Sequence, residues 1–291
     1  MLSVLIPTYN YDCRQLVVDL HRQGETLGEP FEIIVADDAS TDSDVVAANR
    51  SVQSLSHVRW VENKVNAGRA CIRNQMADLA CGDWLLFVDS DAQVPDDFSL
   101  RAYLDAAPDA AVVCGGLRHP ATNPCPEATL RYRYERKADR RRAARFRNRS
   151  PYLHLSTFNL LVRHDVFLQI RFDADCKEYG YEDALFGVAL RERGITIRHI
   201  DNPLVHMGLE PNDVFLEKSE TALRTLHRLH GRMQGAAHVE NVALRLRRLR
   251  LDGLFLWCYR CFQRPIRTNL LGRHPSLFLF SCHKLAYYLG L

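Results

Sequence analysis

Asp89-Ser90-Asp91 closes a short apolar run, Trp84-Leu85-Leu86-Phe87-Val88. A run of that length, made of large apolar side chains, predicts a buried strand of an α/β sheet. Two carboxylates then emerge at the strand's carboxyl end, where open α/β sheets bind their ligands. Carboxylate oxygens there suit a hard divalent cation, Mg²⁺ or Mn²⁺, and such a cation in turn suits a diphosphate. Acid pairs also occupy ordinary turns, so the triplet needs support from the rest of the chain.

Five other groups of residues supply it. Pro7-Thr8-Tyr9-Asn10 and Asp37-Asp38 each follow an apolar run, and parallel strands would set these loops side by side. A carboxylate such as Asp38, with backbone groups near Thr8, matches the N3–H donor and carbonyl acceptor of a uracil ring. The plainer alternative is that Asp37 and Asp38 cap the following helix. Asn66, Gly68, Arg69, Arg73 and Asn74 gather at a predicted helix N-terminus, which suits an anion. Arg69 and Arg73 are four residues apart and share a helix face. Glu182-Asp183 opens an apolar helix; either acid could cap it, or serve as general base for an attacking hydroxyl. His206, in Leu204-Val205-His206-Met207-Gly208, reads as a core histidine or, beside a metal, as a ligand. The chain has neither G-x-G-x-x-G nor a Walker lysine motif, which argues against a dinucleotide fingerprint and a P-loop.

The elements that must hold these groups alternate. Strands are predicted at Ser3–Ile6, Phe31–Ala36, Val58–Val61, Trp84–Val88 and Ala111–Cys114, with helices at Asp12–Gly24 and from Asn66 to about Ala80. That alternation implies right-handed βαβ crossovers and a mainly parallel sheet flanked by helices. It stops between Leu117 and Tyr152. An extended pattern resumes from His154 to Val162, then a helix from Glu182 to Arg193 and a strand at Thr196–His199. Beyond Asn212 the composition is helical and rich in Leu and Arg.

The chain has 291 residues, 47% of them hydrophobic, enough for one large α/β domain with an extension. Its net charge of +3 hides an uneven distribution. Residues 131–149 hold ten basic side chains against Glu135 and Asp139, a local excess of +8, so the remainder is acidic on balance. Tyr132, Tyr134 and Phe146 interleave with that stretch, as stacking platforms for RNA would, but no RNA-binding motif accompanies them. Nine scattered cysteines, with only the isolated Cys258-Tyr-Arg-Cys261 at redox spacing, and the absence of a secretory leader point to a reducing cytoplasm. No apolar stretch reaches the roughly 18 residues that span a bilayer.

Taken in order, Ser3-Val4-Leu5-Ile6-Pro7-Thr8-Tyr9-Asn10, Val35-Ala36-Asp37-Asp38-Ala39-Ser40-Thr41-Asp42, Asn66-Ala67-Gly68-Arg69-Ala70-Cys71-Ile72-Arg73-Asn74, Asp89-Ser90-Asp91 and Glu182-Asp183 resemble family 2 glycosyltransferases of the GT-A fold. The resemblance covers about residues 3–207. It implies an α/β GT-A domain, a nucleotide-sugar donor (usually a UDP-sugar) and inverting transfer to a glycan or lipid-linked acceptor. By resemblance, Pro7, Thr8, Tyr9, Asp37, Asp38, Asn66, Gly68, Arg73, Asp89 and Ser90 hold the donor. Within that set Thr8 and Asp38 take the base, Arg73 the phosphates or sugar, and Asp89 the ribose or sugar. Asp91, with Asp89 and His206, holds Mn²⁺ or Mg²⁺. Asp183 is the base and Glu182 orients the acceptor.

The expected organisation is a catalytic domain over 1–211 and a helical extension over 212–291. Within the first, a nucleotide-sugar half covers about 1–116 and an acceptor half about 150–211. Two rivals use the same residue types. A nucleotidyltransferase acting on a sugar phosphate would favour a Gly-rich, basic first loop, which Pro7-Thr8-Tyr9-Asn10 is not. A non-catalytic nucleotide- or RNA-binding protein would rest on the basic stretch. In the extension, Leu254, Phe255, Leu256, Trp257, Tyr259 and Phe262, and later Leu277, Phe278, Leu279, Phe280, Leu285, Tyr287 and Tyr288, are interrupted by Arg260, Arg264, Arg267, Arg273 and Lys284. Such a segment either docks on an anionic bilayer or packs on the catalytic domain or on a second copy of the chain.

Overall fold

The chain begins with the strand its first apolar run predicts, in a computed structural model that describes all residues except 175, 177, 178, 230 and 234–236, and the side chain of Arg140. It separates into two compact units. The first comprises Met1–Arg118, Arg140–Lys177 and Glu182–Gly208; the second comprises His119–Asp139, Glu178–Tyr181 and Leu209–Leu291.

In chain order the first unit contains β1 (Leu2–Thr8), α1 (Arg14–Glu25), β2 (Phe31–Asp37), α2 (Ser43–Arg50), β3 (Val58–Glu62), α3 (Arg69–Leu79), β4 (Trp84–Val88), β5 (Ala92–Gln93), α4 (Arg101–Ala106), β6 (Val112–Cys114) and β7 (Leu117–Arg118). After α5 (Thr129–Ala138), which belongs to the second unit, come α6 (Ala144–Arg147), β8 (Asn159–Arg163), α7 (His164–Ile170), α8 (Glu182–Glu192), β9 (Ile197–His199) and β10 (Leu204–His206). The main sheet runs β3-β2-β1-β4-β8-β6-β9, and β5-β10-β7 form a small second sheet. β1 pairs in parallel with β2 and β4, and β2 with β3. Leu2, Val4, Leu5 and Ile6 are fully buried, as a strand covered on both faces requires. α1 lays Leu16, Val17, Leu20 and Gly24 against the sheet. A Cβ on Gly24 would come within 2.4 Å of the Phe31 ring, so glycine sets how closely α1 approaches β2.

β8 is the departure from simple alternation. It inserts between β4 and β6 and runs antiparallel to both. The stretch expected to form the acceptor half of the catalytic domain supplies a central strand of the same sheet. Leu160, Leu161 and Val162 are fully buried there. Beneath it Phe87, Phe167, Phe172 and Phe186 pack edge and face, with Phe172 and Phe186 centroids 4.7 Å apart. Aromatic pairs of this kind add about 0.5–1.5 kcal/mol beyond their burial. They anchor α8, and with it the acids of its first turn.

The second unit is helical: α5, α9 (Asn212–Arg228), α10 (His238–Arg248), α11 (Asp252–Leu271) and α12 (Leu277–Leu289). Leu130, Phe215, Leu216, Ile266, Leu270 and Phe280 form its core. A linear boundary at 211/212 does not describe this arrangement. Leu130 of α5 packs with Phe215 and Phe280, its backbone N–H donates to the Asn212 side chain at 2.7 Å, and residues 119–139 thereby join the C-terminal helices. Among the described residues, no helix is long and apolar enough to cross a membrane.

Candidate active site

The ends of β1 and β2 are laced together. Thr8 is buried, its hydroxyl donates to the Tyr11 carbonyl at 3.0 Å, and its own carbonyl accepts from Asp38 N at 2.9 Å. Asn10, held at φ 49°, accepts from the N–H groups of Thr41 and Asp42 through its side chain. Tyr9 remains about half exposed. Asp37 accepts from Ser40, whereas the cap of α2 is Asp42, which accepts from Asp44 N and Val45 N. The capping alternative for Asp37 and Asp38 is thus filled by a neighbour.

Asp38 does something the sequence did not indicate. Its carboxylate accepts from Ala67 N at 2.8 Å, Gly68 N at 2.9 Å and Asn63 Nδ2 at 2.9 Å, and Asn66 donates to its carbonyl. Gly68, at φ 84°, precedes α3. The anion at this end of α3 is therefore the protein's own carboxylate, which corrects the expectation that these amides await a ligand. A buried carboxylate placed there gains both hydrogen bonds and the helix dipole. A carboxylate has about four acceptor positions, so three donors leave Asp38 able to accept once more. Asn74, expected beside a ligand, instead brackets the backbone of Phe172 from both sides.

α3 also carries Arg73, whose side chain is only 3% exposed. Nη2 pairs with Asp89 Oδ1, and Nη1 donates to the Arg69 carbonyl at 2.9 Å. Its buried Nε has no partner among the described residues. Arg69 faces outward, and its Nη1 lies 3.7 Å from Glu182 Oε1. The two arginines share a helix face in sequence but not an environment in the fold.

Asp183 stands in the first turn of α8, after Gly180 and Tyr181, both at positive φ. Thr157 donates to it twice, from Oγ1 at 2.7 Å and from N at 3.2 Å. Removal from water by the surrounding protein, reinforced by the charge of buried Glu182, pushes the Asp183 carboxyl up to about 6. Arg73 opposes that shift and Asp89 adds to it, so the field of Asp183 includes the Arg73–Asp89 pair. A partly solvated carboxyl with a raised proton affinity has the character of a general base working near neutrality.

Asp91 and His206 meet across the small sheet. β5 and β10 pair antiparallel with His206 opposite Ala92, and Met207 N donates to the Asp91 carbonyl at 2.9 Å. His206 Nε2 then lies 3.2 Å from Asp91 Oδ2, and its ring stands edge-on to Phe158 at 5.3 Å. A Cβ at position 208 would sit 2.0 Å from Asp91 Oδ2, so only glycine leaves room for that carboxylate. The two side chains thus bring a carboxylate oxygen and an imidazole nitrogen together, atom types that suit Mn²⁺. Asp89 and Ser90 belong to the same turn, closed by Ala92 N donating to the Asp89 carbonyl at 3.1 Å.

Tyr11 is a site residue that escaped the sequence reading. Its hydroxyl is held above the ordinary range by burial and by the charges of Asp91 and Asp12. Its carbonyl receives both Thr8 and Asn49. A tyrosine immediately after the first loop carries no motif signal. In the second unit, His119 Nδ1 lies 2.9 Å from Asp139, and Nε2 contacts Glu135. The basic stretch divides between the units. Arg131 pairs with Glu135 and Glu210 in the second. In the first, buried Arg147 donates to the carbonyls of Arg142, Cys114, Gly115 and Ile200 and to His199 Nδ1. Arg145 and Arg149 stack on Phe146.

The family model described as Glycosyl transferase family 2 matches residues 3–171. The glycosyltransferase YibD of Escherichia coli K12 is 38% identical over 95 residues, which are 32% of this chain and 26% of that one. A poly(ribitol-phosphate) beta-glucosyltransferase of Bacillus spizizenii is 34% identical over 109 residues, covering 35% of this chain and 16% of that protein. The chain thus spans well under half the length of either relative. Among solved structures, a mannosyltransferase from Pyrobaculum calidifontis, determined with GDP-Man and Mn²⁺, superposes with a TM-score of 0.54 at 16% identity, over 98% of this chain and 86% of that one. That likeness is one of fold.

Proposed function

The chain belongs to glycosyl transferase family 2 and is a glycosyltransferase, and from that premise we propose an inverting transfer from a UDP-sugar to a hydroxyl of a glycan or lipid-linked acceptor. One observation carries the reading: the pair formed by buried Arg73 and Asp89, with Arg73 Nε unpartnered among the described residues, lies in the electrostatic field of a carboxyl whose proton affinity is raised to about 6.

Each residue then has a task. Asp38 accepts the base N3–H at its remaining position, beside the Thr8 backbone. Arg73 donates Nε to a donor oxygen and holds Asp89 toward the ribose or sugar hydroxyls. Asp183 accepts the acceptor hydroxyl's proton as that oxygen bonds to the anomeric carbon. The bond from that carbon to the diphosphate breaks on the opposite face, which gives inversion. Glu182, tied to Arg69, orients the acceptor. Asp91, His206 and Asp89 would hold a divalent cation, which supplies charge neutralisation for the leaving diphosphate; the Mn²⁺ in the Pyrobaculum structure supports that choice. A diphosphate is already a good leaving group, so no general acid is assigned. Nine scattered cysteines suit a reducing, cytoplasmic setting.

The test is a panel of UDP-, GDP-, CDP- and TDP-sugars with Mn²⁺, read by release of the nucleoside diphosphate, with the product anomer assigned by NMR. Donor hydrolysis or transfer with a UDP-sugar and an inverted product supports the proposal. Turnover only with another nucleotide reassigns the base pocket, and a retained anomer rejects Asp183 as a simple base.

A further inference from the structure

The extension contains a face that the described residues leave uncovered. α11 buries only Ile266 and Leu270, both near its C-terminal end. Along the rest, Leu254, Trp257, Cys258, Cys261, Phe262 and Pro265 fall at spacings of three and four, which on a helix make one stripe. Leu254 is 60% exposed, Trp257 64% and Phe262 62%. Phe278, at the start of α12, is 74% exposed. These are the side chains a folded protein ordinarily hides, and a contiguous row of them marks a surface with a partner.

Charge identifies the partner. Residues 241–291 contain nine basic side chains and one acid, Asp252. All eight arginines among them are exposed. Arg260, Arg264 and Arg267 project along one edge of the apolar stripe at helical spacing, and Arg245, Arg247, Arg248 and Arg250 lead into it. Self-association across this face would set two arginine rows against each other. A helix with Trp, Phe and Leu on one side and arginines beside them, too polar to span, lies in the plane of a lipid surface. We infer that α11 docks the enzyme on an anionic bilayer, with Trp257 and Phe262 inserted below the headgroups and Arg260 and Arg264 at the phosphates. The inference is independent of the catalytic assignments, because its readout is vesicle binding.

The full chain is mixed with vesicles of phosphatidylcholine alone, or of phosphatidylcholine and phosphatidylglycerol in equal parts, and sedimented at low and high salt. Binding is expected to the anionic vesicles only, and to weaken with salt. Trp257→Glu/Phe262→Glu should weaken it about tenfold or more, since two large apolar bodies leave the lipid. Arg260→Glu/Arg264→Glu should cost at least about fivefold per site. All four positions are exposed, so circular dichroism and the melting profile should match wild type. Trp257→Phe should keep binding yet abolish the vesicle-induced blue shift of tryptophan emission. The inference is overturned by equal binding to both vesicle types, by unchanged binding of the double variants, or by a blue shift that survives Trp257→Phe. It is equally overturned if the lipid-free protein is a dimer that Trp257→Glu/Phe262→Glu renders monomeric, for the stripe would then be an interface between copies.

Discussion

Replacing Asp183 by Asn removes one proton acceptor at nearly constant volume, and its consequences separate a base from a structural acid. The Asp183 carboxyl titrates near 6 in the fold against an ordinary 3.8. Turnover carried by its ionised form should therefore rise through an acidic limb with a midpoint near 6, and at pH 5 about one tenth of the plateau should remain. Asp183→Asn should lower kcat by roughly 10²–10⁴-fold with donor affinity unchanged.

The stability effect has the opposite sign. Because the folded state binds this proton more tightly than the unfolded state, stability is fully present below about 3.8 and is lost as pH rises through about 6. At about 1.36 kcal/mol per pKa unit, the ionised carboxylate costs at most about 3 kcal/mol at pH 7.5. The hydrogen bonds from Thr157 are already counted in that balance. Asp183→Asn should thus melt higher than wild type at pH 7.5, and the gain should vanish near pH 4. Calorimetric scans at the two pH values, run beside a pH–rate profile, make the comparison. A flat profile from pH 5 to 8, or a variant with near-normal turnover, would refute the assignment. A variant that is inactive and also less stable at pH 7.5 would mean that Asp183 serves the fold.

Four further outcomes are expected. Gly208→Ala places a methyl where Asp91 Oδ2 stands; it should abolish the Mn²⁺-dependent part of nucleoside diphosphate binding in calorimetry while metal-independent binding persists. Arg73→Ala leaves Asp89 without its partner and should cost about 3–5 kcal/mol in urea unfolding, with Arg73→Lys losing less. Arg147→Ala should destabilise by a similar amount, because four carbonyls and His199 lose one buried donor group. Exposed Arg145→Ala should stay within about 0.5 kcal/mol of wild type by the same measurement.

Local pattern alone determined where the strands of this protein end and which acids stand there. A buried parallel strand must be apolar throughout, and the residue where that run stops is the loop at the sheet's ligand-binding edge; Thr8, Asp37 and Asp89 could be placed that way without coordinates. Only tertiary structure decided which of those groups face one another, and at what proton affinity. Asp91 and His206 are 115 residues apart and meet through the register of two short strands. Asp38 is held by amides of a loop nearly 30 residues on. Arg69 and Arg73 look equivalent by helical spacing, yet packing buries one against Asp89 and turns the other outward. The same holds for charge along the chain. A run of ten basic residues reads as one surface device, but folding spends Arg147 inside one unit and Arg131 inside the other. Such choices depend on burial and long-range pairing, which no short window of sequence contains. The apolar stripe of α11 is the converse case. Its periodicity is written in the sequence, while its exposure, and hence its need for a partner, exists only once the rest of the chain has folded without covering it.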